Sequence, residues 1–296
     1  MSSPRAEAAA VVALLRTGKR RWPEYTDLID DAGSASAVLD AELAHEQRTP
    51  ALFGDDPTTP DLDAIAAEID EWEQAGLRFL TLLDPGYPEN LRSVHDRPPF
   101  VFLAGNLEAR DARGVAVVGT RRASERGTLQ ARAIAEHLVD ADYTVVSGLA
   151  AGIDTAAHTA ALDHGGRTVA VIGTGLRRSY PAQNAALQRR IAAECAVISQ
   201  FWPDAPPTRH GFPMRNAVMS GFALATVVVE ASHTSGARMQ ARLALEHARP
   251  VFLLESLLDH AWAREYAERP GTYVVSSPEQ ITTLVDRLTS TDMLVA

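Results

Sequence analysis

Apolar positions along the chain change their period near residue 110. From Ala6 to Leu43 they recur at helical spacing, as in Val11-Val12-Ala13-Leu14-Leu15 and Tyr25-Thr26-Asp27-Leu28-Ile29, with breaks at Gly18, Pro23 and Gly33. This spacing predicts a small helical domain over residues 1–47. Residues 48–60 combine three prolines, a glycine and two aspartates, a composition suited to turns, and are read as a linker. A helix over 61–74 and short apolar runs at 77–83 and 100–104 come next, leading into a larger domain over 61–296.

From Gly114 onward, apolar runs alternate with helical stretches. The runs are Val115 to Val118, Tyr143 to Ser147, Thr168 to Ile172, Ala196 to Ser199, Thr226 to Glu230, Val251 to Leu254 and Tyr273 to Val275. Parallel strands need crossover connections, and helices usually supply them, so the alternation predicts a doubly wound α/β core over 114–288 with a mostly parallel sheet. The final unit predicts its own helix. Ser277 reads as N-cap, Pro278 as first helical residue and Gln280 as capping-box partner, and Ile281, Leu284, Val285 and Leu288 then fall on one face.

The composition, 46% hydrophobic and 22% charged over 296 residues, is that of a globular protein. No apolar stretch approaches the roughly 18 to 20 residues of a membrane span, and the N-terminal segment carries no clear cleavage site, so a cytoplasmic protein with no membrane partner is expected. The single cysteine, Cys195, excludes an internal disulfide and a multi-cysteine zinc site. Its neighbours Ala196-Val197-Ile198 suggest an inert strand position.

The formal charge of −10 argues against an evenly basic protein that coats nucleic acid. The distribution changes that picture. Residues 110–250 carry sixteen basic and eleven acidic side chains, whereas 1–109 carry nine and twenty and 251–296 carry three and seven. Lys19 is the only lysine, and arginine suits bidentate phosphate contact and stacking on bases. A GC-rich coding sequence produces the same bias, so composition alone fixes no partner.

In an open parallel sheet, ligands bind beyond the carboxyl ends of the strands, so those loops carry the chemistry. The first, Val118-Gly119-Thr120-Arg121-Arg122-Ala123-Ser124, opens a helix. Gly119 offers close backbone approach, Thr120 and Ser124 offer hydroxyls, and Arg121 with the helix N-terminus favours a phosphate. The loop lacks GxGxxG and is not a Walker loop, so no dinucleotide or ATP chemistry follows and no cofactor is expected. The second loop runs from Ser147-Gly148 through Gly152 to Asp154 and His158. Asp154 reads as a helix cap and His158 as a packed or hydrogen-bonded histidine, since no third metal ligand accompanies them. Gly173-Thr174-Gly175 and Tyr180-Pro181 bring bare backbone and an aromatic to the same edge. Arg209-His210-Gly211-Phe212-Pro213-Met214-Arg215-Asn216 places cations, an aromatic and an amide before a helix, a mixture that holds single-stranded nucleic acid. Glu230, followed by Ser232 and by Ser235-Gly236 at a helix start, reads as a hydroxyl or N–H acceptor more readily than as a general base.

These loops, with Tyr87-Pro88-Glu89-Asn90-Leu91-Arg92 and Arg97-Pro98-Pro99-Phe100-Val101-Phe102-Leu103-Ala104-Gly105, occur in one order and together resemble the DNA-processing protein A (DprA/Smf) family over residues 85–252. The resemblance implies an extended Rossmann-like domain that binds single-stranded DNA without catalysis, delivers it to the RecA recombinase during transformation and forms a homodimer. Carried over by position, Gly119, Thr120 and Arg121 hold a backbone phosphate, Ser147, Gly148, Gly173 and Gly175 line the pocket, and Phe212, Arg215 and Asn216 meet bases and phosphates beside Ser235 and Gly236. Ala217 and Gln240 depart from the family pattern, as does Glu255-Ser256 with the helix-like stretch Leu257 to Ala267. The last of these falls where the family associates with itself and meets RecA. A winged-helix extension is not expected after Ala296. The alternative keeps the fold but changes the ligand: a nucleotide sensor or hydrolase, or a component of an antiphage or toxin-antitoxin system.

Overall fold

Proline and glycine set the limits of the first helices. The computed structural model describes residues 3–48, 59–233 and 235–292. In it, α1 (Pro4–Thr17) starts with Ser3 accepting from the Ala6 N–H and with Pro4 in the first turn, and ends at Gly18 with φ +65°. Next come α2 (Trp22–Ala32), ending at the left-handed Gly33, and α3 (Ala35–Arg48). Pro23 does not break the pattern as expected. It sits in the first turn of α2, where a missing N–H costs nothing. The Glu7 carboxylate accepts from Ala35 N (2.6 Å), Ser36 N (3.1 Å) and the Ser34 hydroxyl (2.9 Å) and so ties α1 to the start of α3. Burial pushes its carboxyl up, but these bonds outweigh that and hold it below its ordinary value. Most of the segment read as a linker, 49–58, lies outside the described residues.

The first compact unit takes in residues 1–87 and 96–102. It also contains α4 (Leu62–Gln74), capped by Asp61, and β1 (Leu77–Thr81). Trp72 and Phe79 pack with Phe100 and Phe102 as an aromatic core, with ring centroids 5.0 to 5.7 Å apart.

The second unit spans residues 88–95 and 103–296. It opens with α5 (Glu89–Arg92), and β2 (Phe100–Gly105) runs into it from the first. The doubly wound part then runs β3 (Gly114–Val118), α6 (Glu125–Asp140), β4 (Thr144–Ser147), α7 (Ile153–Asp163), β5 (Thr168–Val171), α8 (Ala185–Glu194) and β6 (Ala196–Ser199). It continues with α9 (Gly211–Phe222), β7 (Ala225–Val228), α10 (Gly236–Glu246), β8 (Val251–Leu254), α11 (Ala261–Ala267), β9 (Thr272–Val275) and α12 (Pro278–Asp292). The order across the sheet is β6-β5-β4-β3-β7-β8-β9, and all six pairings are parallel.

Alternate residues divide between the two faces of this sheet. Val115, Val117, Val145, Ala225 and Val227 pack with Ile134 and Leu138 of α6, Ala157 and Ala161 of α7 and Ile281 and Val285 of α12. The α9 and α10 helices pack on one another, and α10 contacts β7 and β8. Connections leave β3 towards β4 on one side and arrive at β7 on the other, so the topological switch point lies between β3 and β7. Gln280 does close the start of α12, but its Oε1 accepts from Ser276 N (2.9 Å), one residue before the expected cap. Cys195 is the residue between α8 and β6, buried, with its thiol pushed up by burial. Among the described residues, no helix is long and apolar enough to cross a membrane.

Candidate nucleic-acid interface

The β3–α6 loop differs from its sequence reading at two points. A Cβ on Gly119 would meet the Ile153 side chain and Glu230 O, so the glycine admits neighbouring chain rather than a ligand. The N-terminus of α6 already holds an anion. Ser124 N and Ser124 Oγ both donate to Glu230 Oε2, each at 3.0 Å, while Ser124 Oγ accepts from Gly127 N. Ser124 therefore has no free hydroxyl to offer, and Glu230 is a hydroxyl and N–H acceptor, as its position at the end of β7 suggests. Thr120 N donates to Glu230 O (2.7 Å) and Thr120 Oγ1 accepts from Arg122 N (3.2 Å), which fixes the loop. Arg121 and Arg122 project from it, exposed.

The β4–α7 loop is organised by a carboxylate that does not cap the helix. Gly152 takes the N-cap position. Asp154, 4% exposed, instead accepts from Gly148 N (3.1 Å) and Ala150 N (3.3 Å) and holds the loop in shape. Burial pushes its carboxyl up, against the pull of the Arg215 guanidinium and those two N–H groups. Ser147 is fully buried, donates to Val117 O (2.7 Å) and does not reach a ligand surface. His158 is a hydrogen-bonded core histidine. Thr168 spends its own hydrogen on Val145 O, so it accepts from His158 Nδ1 at 2.7 Å, and burial lowers the imidazole to about 3.

On the next loop, Gly173 lies under the Phe212 ring. Gly175 gives its N–H to Ala205 O (2.9 Å) and forms no part of the hollows described below. The cation-rich segment is not a loop before a helix but the first turns of α9, which starts at Gly211. Phe212, Arg215, Asn216 and Met219 follow the i, i+3, i+4, i+7 pattern and present one face. Arg215, 6% exposed, lies 4.0 Å from Asp154 and donates from Nη1 to Val171 O (3.2 Å). A Cβ on Gly148 would overlap its guanidinium, so any side chain there requires the end of Arg215 to shift. Burial pulls Arg215 below its ordinary value and Asp154 opposes this. A guanidinium nevertheless remains a cation in protein.

The Phe212 ring joins two hollows. Arg121 Cζ lies 4.9 Å from its centroid, and the Tyr180 ring, 42% exposed, lies 5.5 Å away at 46°. The smaller hollow, about 210 Å3, is lined by Gly148, Gly173, Thr174, Tyr180 and Gln183. The larger, about 430 Å3, opens at the switch point and is lined by Gly119, Thr120, Arg122, Asn216, Ser235, Gly236 and Gln240. Arg121, Ala150, Phe212 and Arg215 line both. Ala150, Asp154, Met219 and Gln240 were not read from the sequence as site residues. The period of α9 points to Met219, while Asp154 and Gln240 face the site only because the sheet folds them there.

A doubly wound sheet with cations and stacked rings converging at its switch point defines a Rossmann-like protein fitted for phosphate-bearing ligands. Residues 78–285 match the family model of DNA recombination-mediator protein A, and the chain belongs to that family. Protein Smf of Synechocystis is 41% identical over 195 residues, which cover 64% of this chain and 49% of that protein. DNA processing protein DprA of Streptococcus pneumoniae is 41% identical over 180 residues, covering 60% and 64%. The chain thus spans about half to two thirds of the length of these curated relatives. The X-ray structure of the Streptococcus pneumoniae protein superposes with TM-score 0.65 and 33% identity over 77% of this chain and 82% of that one. A structure of DNA processing protein A from Helicobacter pylori, describing its single-stranded DNA binding mode, shares the fold with TM-score 0.62 and 24% identity over 72% and 96%.

Proposed function

We propose that this protein binds single-stranded DNA along the smaller hollow, without sequence preference and without catalysing a reaction on it. The stack of Arg121, Phe212 and Tyr180 carries this reading. A cation over one side of a phenyl ring and a half-exposed tyrosine beside it form a surface on which an unstacked base rests while its phosphate meets the guanidinium. Arg121 has the phosphate-holding part, Phe212 and Tyr180 the stacking part, and Gly148 and Gly173 leave room for the Arg215 guanidinium and the Phe212 ring. Arg215 supplies the buried positive charge beneath. Ser147 and Gly175 support the scaffold instead. Family membership and the names of the relatives favour this chemistry over a metabolite hydrolase.

On this reading the chain works in the cytoplasm, protects the strand and hands it to a RecA-type recombinase as a homodimer. The segment 255–267, a 3-10 turn followed by α11, is where these last two properties are to be tested. Fluorescence anisotropy with labelled oligothymidylate tests the binding. Arg121→Ala and Phe212→Ala should each weaken it, and a duplex of the same length should bind less tightly. Unchanged affinity in both variants would remove the site from consideration.

A further inference from the structure

The larger hollow has features that a passing strand does not require. Arg215 is nearly buried, yet among the described residues it makes only the hydrogen bond from Nη1 to Val171 O, beside its 4.0 Å approach to Asp154; its Nε is shielded from solvent, and its Nη2 donates to no described residue. A guanidinium carries five donors, so a further acceptor is expected beside it. The start of α10 forms another wall. Ser235 Oγ accepts from Ala237 N (3.2 Å), and the first turn holds no acidic residue, unlike α6, whose N-terminus Glu230 occupies. A Cβ on Gly236 would meet nothing within 4 Å, so the helix end faces open space. Arg121, Arg122 and Arg215 line this space against the single carboxylate of Asp154.

Three cations and one anion leave a surplus of two positive charges. A phosphate monoester carries close to two negative charges at neutral pH, whereas a phosphodiester inside a strand carries one. About 430 Å3 matches a ligand of nucleotide size, and Asn216 and Gln240 add amides to the wall. We infer that this hollow, at the switch point between β3 and β7, binds a phosphate monoester of nucleotide size, its phosphoryl group held between Arg215, Arg121 and the first turn of α10. Two sources offer that group: a free 5′-nucleotide, or the 5′-phosphorylated end of a strand. Because Arg121 and Phe212 line both hollows, occupancy here opposes the passage of a strand interior. This opposition, unlike the site itself, rests on the strand-binding function proposed above.

The test uses the full chain and calorimetry with 5′-thymidylate and with thymidine, beside anisotropy with 5′-phosphorylated and 5′-hydroxyl oligothymidylate. Ser232→Glu is the diagnostic variant. Ser232 is exposed and lines only the larger hollow, so the new carboxylate repels a phosphoryl group without entering the stack. Saturable heat with 5′-thymidylate and none with thymidine, weakened about tenfold or more in Ser232→Glu, is the expected result. Tighter binding of the 5′-phosphorylated strand, lost in the variant, assigns the site to strand ends. Equal binding of both strands alongside the heat assigns it to free nucleotides. Absence of heat together with equal binding of both strands overturns the inference while leaving strand binding intact. Heat from 5′-thymidylate with no binding of either strand would instead support this site and sink the function proposed above.

Discussion

At the residue scale, the site depends on where one guanidinium can lie. Gly148 leaves the space that Arg215 fills, so Gly148→Ala must displace a buried cation. We expect a loss of about 1–3 kcal/mol in stability, as for other overpacked interiors, and weaker strand binding. Urea denaturation and anisotropy read the two effects, and a variant equal to wild type in both would contradict this packing. His158 gives a pH signature with a definite sign. Its folded value is near 3 and its ordinary value 6.5, so as pH falls the unfolded chain takes up the proton first. Stability from this residue is therefore complete above about pH 6.5 and declines towards pH 3, by at most about 1.4 kcal/mol per pH unit. His158→Gln should flatten that part of a stability profile measured by urea titration at successive pH values, and an unchanged slope would exclude His158 as its source. Arg121 and Phe212 were legible as candidates because a cation beside a glycine-rich turn and an aromatic among cations are uncommon combinations, and the structure brings the two together. Asp154 was placed in the right loop but given the wrong task. Whether a carboxylate caps a helix or braces the loop before it depends on backbone angles that local sequence leaves open.

At the scale of elements, β3 to β8 were readable almost to the residue because each is buried on both faces and so is largely apolar, while the more exposed β9 still shows as a short apolar run. The start of α9 was not. Gly211 and Pro213 look like turn residues, yet a proline in the first helical turn forfeits no hydrogen bond, so the helix absorbs both. The α6 N-terminus is the more instructive case. Its sequence announces an anion site, and the anion turns out to be Glu230, 106 residues further along the chain. This pairing is long-range and leaves no local pattern to read. Glu230→Ala should therefore act on stability. Removing a carboxylate that accepts two hydrogen bonds at a helix start is expected to cost about 1–3 kcal/mol in chemical denaturation. No loss of stability would mean that water replaces the carboxylate at no cost.

For the whole molecule, the net charge of −10 conceals an uneven distribution along the chain. Acidic side chains are in excess over residues 1–109 and 251–296, while residues 110–250 carry the surplus of arginine. Such an uneven distribution is what allows a protein of net negative charge to offer a locally basic region to a polyanion. The fold follows from the alternation of apolar runs, and the site from the rule that loops at the carboxyl ends of parallel strands meet at a switch point. The division of that meeting point into two hollows, which share Arg121, Ala150, Phe212 and Arg215, was not legible, because it depends on how these side chains pack and on the turn at which α9 begins.

A salt series of equilibrium titrations with labelled oligothymidylate, run on the wild type and Arg121→Ala, is the most direct measurement of strand binding at this edge. The logarithm of affinity should fall linearly with the logarithm of salt concentration, and Arg121→Ala should weaken binding and reduce the slope by about one phosphate contact. Equal affinities and parallel lines for the two proteins, or no binding by either, would contradict the assignment of the strand to the Arg121–Phe212–Tyr180 stack.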